Sequence, residues 1–380
     1  MKLIHCADIH IGVESYGRLD PETGLSTRLG DFLAALDRIV DYAITNKIDL
    51  FLFAGDAYKN REPTPTHQRE FSKRILKLAR SGIQCVLLVG NHDTSLAPGK
   101  ANSLDIYSTL EVEGVNVIRH PELIEVAGLQ IIGIPWLRKD SYENLHETLN
   151  SLYQKLDPNK PAIITLHGTV EGSVFGSERN VMLGKDYVIP KGLLLNQKIA
   201  YVACGHIHKR QVLGTNPPIV YSGSIERVDF GEAEEEKSFE LVAISDQREA
   251  EHKPISTNAR KFVYLNFDIE DKQSFPTRVV LDEIKKHEIK DAVVKVVLNC
   301  SDVKASEIDL SEIKASLKDA FFLAGVAKNI TRTERLKLEG GFVIETLSPM
   351  TALEKYLKAK SYPESKINLL KKYAKELTKD

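Results

Sequence analysis

Five short motifs gather the side chains of this chain that could hold cations or move protons: Asp8-Ile9-His10, Gly55-Asp56, Gly90-Asn91-His92-Asp93, His167-Gly168 and Gly205-His206-Ile207-His208. Carboxylates, imidazoles and a single carboxamide in this combination suit phosphate-ester hydrolysis. The charged oxygens of a phosphodiester repel a nucleophile, and two cations about 3.5 to 4 Å apart relieve that repulsion while activating water and clamping the attacking and leaving oxygens. Two cations need a carboxylate between them. Asp56 is the candidate bridge, because Gly55 before it lets backbone and ions approach closely. Asp8 and His10 stand two apart, as do His206 and His208, so in extended chain each pair projects to one side and can grip one ion. Asn91 contributes a neutral oxygen that limits the negative charge of the site, and His167 adds an imidazole. Mixed nitrogen and oxygen donors of this kind favour Mn²⁺, Fe²⁺ or Zn²⁺ over Mg²⁺.

Each motif ends a short apolar run rich in β-branched residues: Leu3–Ala7, Leu50–Ala54, Cys85–Val89, Ala162–Leu166 and Ala200–Cys204. Such runs read as buried strands. Between them lie helical patterns such as Arg28–Val40, where Leu29, Phe32, Leu33, Leu36, Ile39 and Val40 recur at helical spacing. In an open α/β sheet the crevice beyond the carboxyl ends of the strands binds ligands, so residues distant in sequence converge there. The chain has 380 residues and a formal net charge of −2, which leaves no global basic field to attract nucleic acid and assigns any phosphate affinity to local patches or bound cations. Cys6, Cys85, Cys204 and Cys300 lie far apart with no paired spacing, as packing residues in a reducing compartment do. No apolar run is long enough to span a membrane, and the expected compartment is the cytoplasm, close to the nucleoid.

In chain order the motifs read D-x-H, G-D, G-N-H-D, H-G and G-H-x-H, and this series resembles the calcineurin-like metallophosphoesterase family as far as about Phe230. The resemblance implies a four-layer α/β/β/α sandwich of two mixed sheets flanked by helices. It also implies that Asp8, His10, Asp56 and His208 hold one ion, and that Asp56, Asn91, His167 and His206 hold the other. His92 then steadies the transition state and protonates the leaving oxygen, with Asp93 positioning it. Within the family, Leu3–Gly12, Tyr221–Arg227, a strand-helix second domain and a terminal helix pair are similar to the SbcD-type DNA repair nucleases, bacterial counterparts of the meiotic recombination eleven nuclease. That similarity implies two Mn²⁺ ions as cofactor, double-stranded DNA ends and single-stranded DNA as substrates, a coiled-coil ABC-type ATPase as partner, and a homodimer formed near Thr66–Leu78 and Asn102–Leu110. One position departs: relatives carry His or Asp three residues after the bridging carboxylate, and here that residue is Lys59.

The organisation expected is a nuclease domain over residues 1–250, a small α/β DNA-capping domain over 256–338 and a helix-loop-helix over 345–380 that docks on the ATPase. Asp246–Arg260, with Pro254, reads as a linker. The second domain should run strand (Lys261–Ile269), helix (Arg278–His287), strand (Ala292–Cys300), helix (Leu310–Phe321) and strand (Val326–Arg332). Beyond Gly340-Gly341 the helix pair turns at Ser361-Tyr362-Pro363 and carries apolar stripes at Leu353, Tyr356, Leu357 and at Ile367, Leu370, Leu377. Plainer readings stand beside these. His5, His67, His120, His146, His252 and His287 read as surface or internally bonded histidines, Trp136 as core, and Glu232–Glu236 as a solvated turn. Glu226-Arg227 is either an internal ion pair or a DNA-facing pair. The alternative functions are a phosphomonoesterase or cyclic-nucleotide phosphodiesterase of the same family, and a weakly catalytic scaffold that tethers DNA ends.

Overall fold

The computed structural model describes residues 1–95, 99–137, 144–176, 187–331, 349–360 and 362–377. The chain divides into two compact units, one of Met1–Leu265 with Glu283–Val296 and Lys314–Val326, the other of Asn266–Asp282, Val297–Ile313 and Ala327–Asp380. In chain order the first unit begins β1 (Lys2–Cys6), α1 (Thr27–Thr45), β2 (Leu50–Phe53), α2 (Pro65–Arg80), β3 (Gln84–Leu88), α3 (Asp105–Thr109), β4 (Val115–Ile118), β5 (Glu122–Val126), β6 (Leu129–Ile134) and α4 (Leu145–Gln154). It continues with β7 (Ala162–His167), β8 (Thr169–Val170), β9 (Val188–Ile189), β10 (Ile199–Gly205), β11 (Gln211–Thr215), β12 (Pro218–Tyr221), β13 (Ser238–Ile244) and β14 (Ala250–Ser256).

Two six-stranded sheets result, ordered β14-β13-β1-β2-β3-β4 and β11-β12-β10-β7-β6-β5. The central strands run parallel, and antiparallel pairing is confined to the β13–β14 side and to the edge strands β5 and β11. Alternation along β2 shows why the motif runs are so apolar. Leu50 and Leu52 enter the core shared by the two sheets, with Leu3, Val86, Ile163, Tyr201 and Val220, while Phe51 and Phe53 face the other way, onto Leu36, Phe71 and Ile75 of the helices. Both faces of the strand are covered, so no position is free to be polar. A separate layer, with Leu145, Leu149 and Leu152 of α4, covers the outer face of the second sheet. These three cores define the expected α/β/β/α layering. At the start of α2, Thr64 caps the helix by accepting from the His67 amide, with Pro65 at the first turn.

The expected linker contains structure. β14 pairs with β13 along its whole length, and its charges and Pro254 are tolerated because it is an edge strand. In the following segment β15 (Phe262–Ile269), β16 (Val293–Ser301) and β17 (Phe322–Thr331) form a three-stranded sheet in that order, with α5 (Pro276–Ile284), α6 (Asp302–Glu307) and α7 (Leu310–Ser316) between them. The helix expected to reach Phe321 stops at Ser316, and the chain turns back into β17. Arg332, the Gly340-Gly341 hinge and Ser361 lie outside the described residues. In the second unit α8 (Pro349–Ala359) and α9 (Glu364–Leu377) bury Leu357 and Ile367, whereas Tyr356, Leu369 and Tyr373 stay exposed. No described helix is long and apolar enough to cross a membrane. The four cysteines are buried and unpaired.

His5 tests the inter-sheet core. It is fully buried, with Nδ1 3.0 Å from the Tyr201 hydroxyl and Nε2 3.2 Å from the Cys204 carbonyl, and burial lowers its pKa to about 4. The unfolded chain therefore binds a proton that the folded chain refuses between pH 6.5 and 4. Stability should fall with acidification across that window, by up to about 3 kcal/mol from this residue. Urea midpoints of wild type and His5→Gln at pH 7 and pH 5 check this, with the variant expected to lose less on acidification.

Candidate metal centre

The strands end in backbone that most residues avoid. Asp8, His10, Asp56 and His206 all have φ in the left-handed region, at 52°, 50°, 63° and 97°. Asp and His tolerate it better than most side chains, yet sparsely populated conformations cost on the order of 1–3 kcal/mol each and persist only where surroundings enforce them. The enforcement is visible. Past the sheet, the chain after β1 and the chain after β2 stay hydrogen bonded, Asp8 N to Gly55 O (2.9 Å), His10 N to Asp56 O (3.1 Å) and Ile11 N to Ala57 O (2.9 Å). The buried Asp93 carboxylate knots the third loop to them by accepting from the amides of Asp56 (2.8 Å), Ala57 (3.0 Å) and Gly90 (3.0 Å). Gly55, at φ 100°, leaves room for the His167 ring, which a β-carbon there would strike.

Seven side chains converge at these ends, drawn from both sheets. His10 Nε2 lies 3.0 Å from His208 Nε2, 4.0 Å from Asp8 Oδ1 and 3.7 Å from Asp56 Oδ2. His167 Nε2 lies 2.9 Å from Asn91 Oδ1 and 3.4 Å from the same Asp56 Oδ2, and His206 Nδ1 is 3.0 Å from Asn91 Oδ1. One carboxylate oxygen thus faces both groups, a geometry suited to a bridge between two ions. The spacing argument that pairs His206 with His208 on one ion does not hold, because the left-handed turn at His206 sends the two rings to different groups.

Asp8, His10 and His208, and again Asp8, Asp56 and His167, bring ligand atoms within 4.8 Å of one another. The proton bookkeeping shows that they fit cations. The Ala54 carbonyl 2.7 Å from His167 Nδ1 fixes that nitrogen as the donor, so the neutral ring turns a lone pair toward the Asn91 and Asp56 oxygens. Likewise, Glu232 fixes His208 Nδ1 as a donor and leaves Nε2 to face His10. His10 meets that lone pair with a proton on its own Nε2, which leaves its Nδ1 bare, or a cation lies between the two nitrogens. Burial opposes a charge on His167, yet the Asp56 and Asp8 carboxylates raise its pKa to about 9. Burial alone would raise the Asp56 carboxyl, but His167, His92 and His10 around it hold it well below its usual range. A proton on His167 and a metal ion are alternative ways to satisfy the same acceptors. Among the described residues His10 Nδ1 is buried without a partner.

Residues 1–210 match the calcineurin-like phosphoesterase family, more than half of the chain. The chain belongs to the calcineurin-like phosphoesterases. Among its relatives are the SbcD component of the SbcCD nuclease of Escherichia coli K12, 25% identical over 65% of this chain and 66% of that protein, and the DNA double-strand break repair protein Mre11 of Methanocaldococcus jannaschii, 28% identical over 72% and 71%. The match thus spans just under two thirds of the bacterial protein's length. Among solved structures, a dimetal phosphatase from Danio rerio is 9% identical, covers 68% of this chain and 97% of its own, and superposes with a TM-score of 0.44.

Around the phosphoesterase centre the structure adds three residues that the motifs did not mark. The carbonyl of Lys59 lies 2.6 Å from His92 Nδ1 and fixes the orientation of that ring. Asp93, expected to do so, is occupied with the backbone knot, and a main-chain carbonyl takes its place, while burial, joined by the Lys59 ammonium, lowers the pKa of His92 and His10. Glu232, read as part of a solvated turn, is fully buried, with Oε1 2.7 Å from His208 Nδ1. Lys237, also buried, lies 2.8 Å from Glu232 Oε2. Burial would raise the Glu232 carboxyl, but His208 and Lys237 hold it well below the usual range. Glu226 and Arg227 are internal struts and not one pair: Glu226 is buried against Arg28, and the Arg227 guanidinium donates to the carbonyls of Ala233, Glu235, Ala259 and Arg260. A signal existed for Glu232, since a carboxylate is the usual partner for the second nitrogen of a ligating imidazole, but nothing local distinguished it from Glu234, Glu235 or Glu236. Replacing Glu232 by Gln should weaken Mn²⁺ binding about 10- to 100-fold while the protein stays folded. Calorimetric titration with Mn²⁺ checks this; an unchanged affinity would make Glu232 a packing residue.

Proposed function

We propose that this phosphoesterase is a DNA nuclease that hydrolyses phosphodiester bonds, with Asp8, His10, Asp56 and His208 holding one Mn²⁺ and Asp56, Asn91, His167 and His206 the other. The observation that carries the proposal is the single Asp56 oxygen lying between two separate groups of acceptors. The relatives named as part of a nuclease and as double-strand break repair proteins supply the substrate class. Bound divalent cations would polarise the phosphate oxygens and generate a hydroxide-like nucleophile near neutral pH. Fe²⁺ and Zn²⁺ suit the same mixed donor set, and Mg²⁺ suits it less well.

His92 supplies the proton. Its Nδ1 hydrogen is held by the Lys59 carbonyl, and its backbone amide donates to Asp56 Oδ1 at 2.8 Å, so the ring is fixed to the bridging carboxylate with Nε2 left to carry the mobile proton. Burial lowers the His92 pKa, so Nε2 is mostly unprotonated near neutral pH; the ring takes a proton up there and readily gives it to the departing alkoxide, and turnover should fall as rising pH removes it. One ligand atom each from His92, His10 and Asp56 lies within 4.8 Å of the others, which puts the His92 ring at the edge of the first ligand group.

The cluster of Leu357 and Ile367 with exposed Tyr356, Leu369 and Tyr373 supports the terminal helices as the docking element for a coiled-coil ABC-type ATPase, in a homodimeric complex acting at DNA ends near the nucleoid. A phosphomonoesterase or an inert scaffold gains no specific support from the site.

The experiment is cleavage of labelled linear duplex, single-stranded circles and a chromogenic phosphodiester in Mn²⁺ or Mg²⁺. Cleavage of both DNA forms in Mn²⁺ is expected; hydrolysis of small esters with DNA untouched would overturn the assignment. His92→Leu should retain its metals and lose about 10²- to 10⁴-fold in turnover. Near wild-type cleavage, or loss of the metals, would contradict its role.

A further inference from the structure

The two segments that build the centre also bring aromatic side chains together beside it. Tyr16 lies on the loop that follows His10, and Phe230 shares the short turn Phe230–Glu232 with the carboxylate that holds His208. Their rings meet edge to face at 5.2 Å, and both contact Phe262 on β15, at 5.6 Å and 5.0 Å. Tyr264, two residues along on the same face of that strand, stands 6.3 Å from Phe230. Phe262 is buried, as a core residue should be, but Tyr264 is 48% exposed. The ammonium of Lys295 lies 5.8 Å from the Phe230 ring centre and 5.7 Å from that of Tyr264, and it has no acidic partner among the described residues. The nearby Asp229 accepts from the Gly231 amide at 2.7 Å, and partial burial together with this carboxylate raises the pKa of the Tyr16 hydroxyl. A half-exposed Tyr264 ring beside the partly covered rings of Tyr16 and Phe230, an ammonium facing two of the rings and a phosphoesterase centre held by the same short turn are elements that suit single-stranded nucleic acid, where rings stack on bases and cations meet phosphates.

The geometry points to a stacking subsite, formed by Tyr16, Phe230, Tyr264 and Lys295, for an unpaired nucleobase of the polynucleotide whose phosphodiester is cleaved at the metal centre. This rests on the nuclease reading given above. It implies that the enzyme prefers strands whose bases are free to leave the helix, at ends, nicks or single-stranded stretches, because a paired base cannot reach the rings.

The test uses the full chain and a fluorescein-labelled 12-nucleotide phosphorothioate oligonucleotide that resists cleavage, alongside the same backbone with abasic residues. Wild type should bind the base-bearing strand more tightly by anisotropy titration. Tyr264→Ala should weaken binding of that strand roughly 5- to 150-fold, the effect of losing one base–aromatic stack, and should shrink its advantage over the abasic strand. Tyr264→Phe keeps the ring and should restore both, which loss of a hydroxyl contact would not. Thermal midpoints confirm that the variants fold. Equal affinity of wild type for both strands, or a Tyr264→Ala variant that still prefers bases, would overturn the subsite while leaving Mn²⁺-dependent DNA cleavage standing. A wild type that neither cuts nor binds DNA would overturn the nuclease reading and the subsite together.

Discussion

At the heart of the first unit, buried imidazoles, carboxylates and one carboxamide crowd within hydrogen-bonding distance of one another. His10 and His208 nitrogens stand 3.0 Å apart, and His167 and His206 nitrogens crowd the single oxygen of Asn91 at 2.9 and 3.0 Å. In a low-dielectric interior such an arrangement is costly unless a positive charge neutralises it. The rest of the unit exists to hold those groups in place. Two sheets with both faces buried bring the strand ends into register, four residues accept left-handed backbone to aim their side chains, and the Asp93 carboxylate fastens three amides so that Asp56 cannot turn away.

The same constraint explains the electrostatics. Asp56 is held ionised by three imidazoles, whereas Asp8, in the same crevice, is pushed up to about 6 by burial, which outweighs the neighbouring histidines. The two carboxylates differ because Asp56 lies at the middle of the histidine cluster. Each candidate ligand ring whose outer nitrogen finds a protein partner has that nitrogen fixed as the donor, His167 by Ala54 and His208 by Glu232, so the inward nitrogen would meet a cation without a ring flip. His92 obeys the same rule with a different outcome. Its outer nitrogen is tied to the Lys59 carbonyl, and the proton transfer proposed above falls to its inner one.

Much of this was legible in the sequence because it rests on residue type and order. Asp8, His10, Asp56, Asn91, His167, His206 and His208 each terminate an apolar run, and the α/β/β/α layering follows from runs that must be covered on both faces. What stayed hidden depends on three-dimensional partners. The Lys59 carbonyl is main chain and has no residue signature, and Glu232 sits among other glutamates that differ from it only in burial. His206 and His208 looked like a pair because extended geometry was assumed where the backbone turns left-handed. β14 looked like a linker because an edge strand may be charged and carry proline. Asp93 was given the positioning of His92 by family resemblance, while its oxygens bond to amides 36 and 37 residues away.

The claim that two cations share one carboxylate oxygen is tested most directly by counting metal in purified protein, wild type against Asp56→Asn, by elemental analysis after equilibration with Mn²⁺. Two ions per wild-type chain are expected, with both depleted in the variant, since the neutral amide cannot compensate either cation. Retention of both ions by Asp56→Asn, or a single ion in the wild type, would contradict the shared bridge.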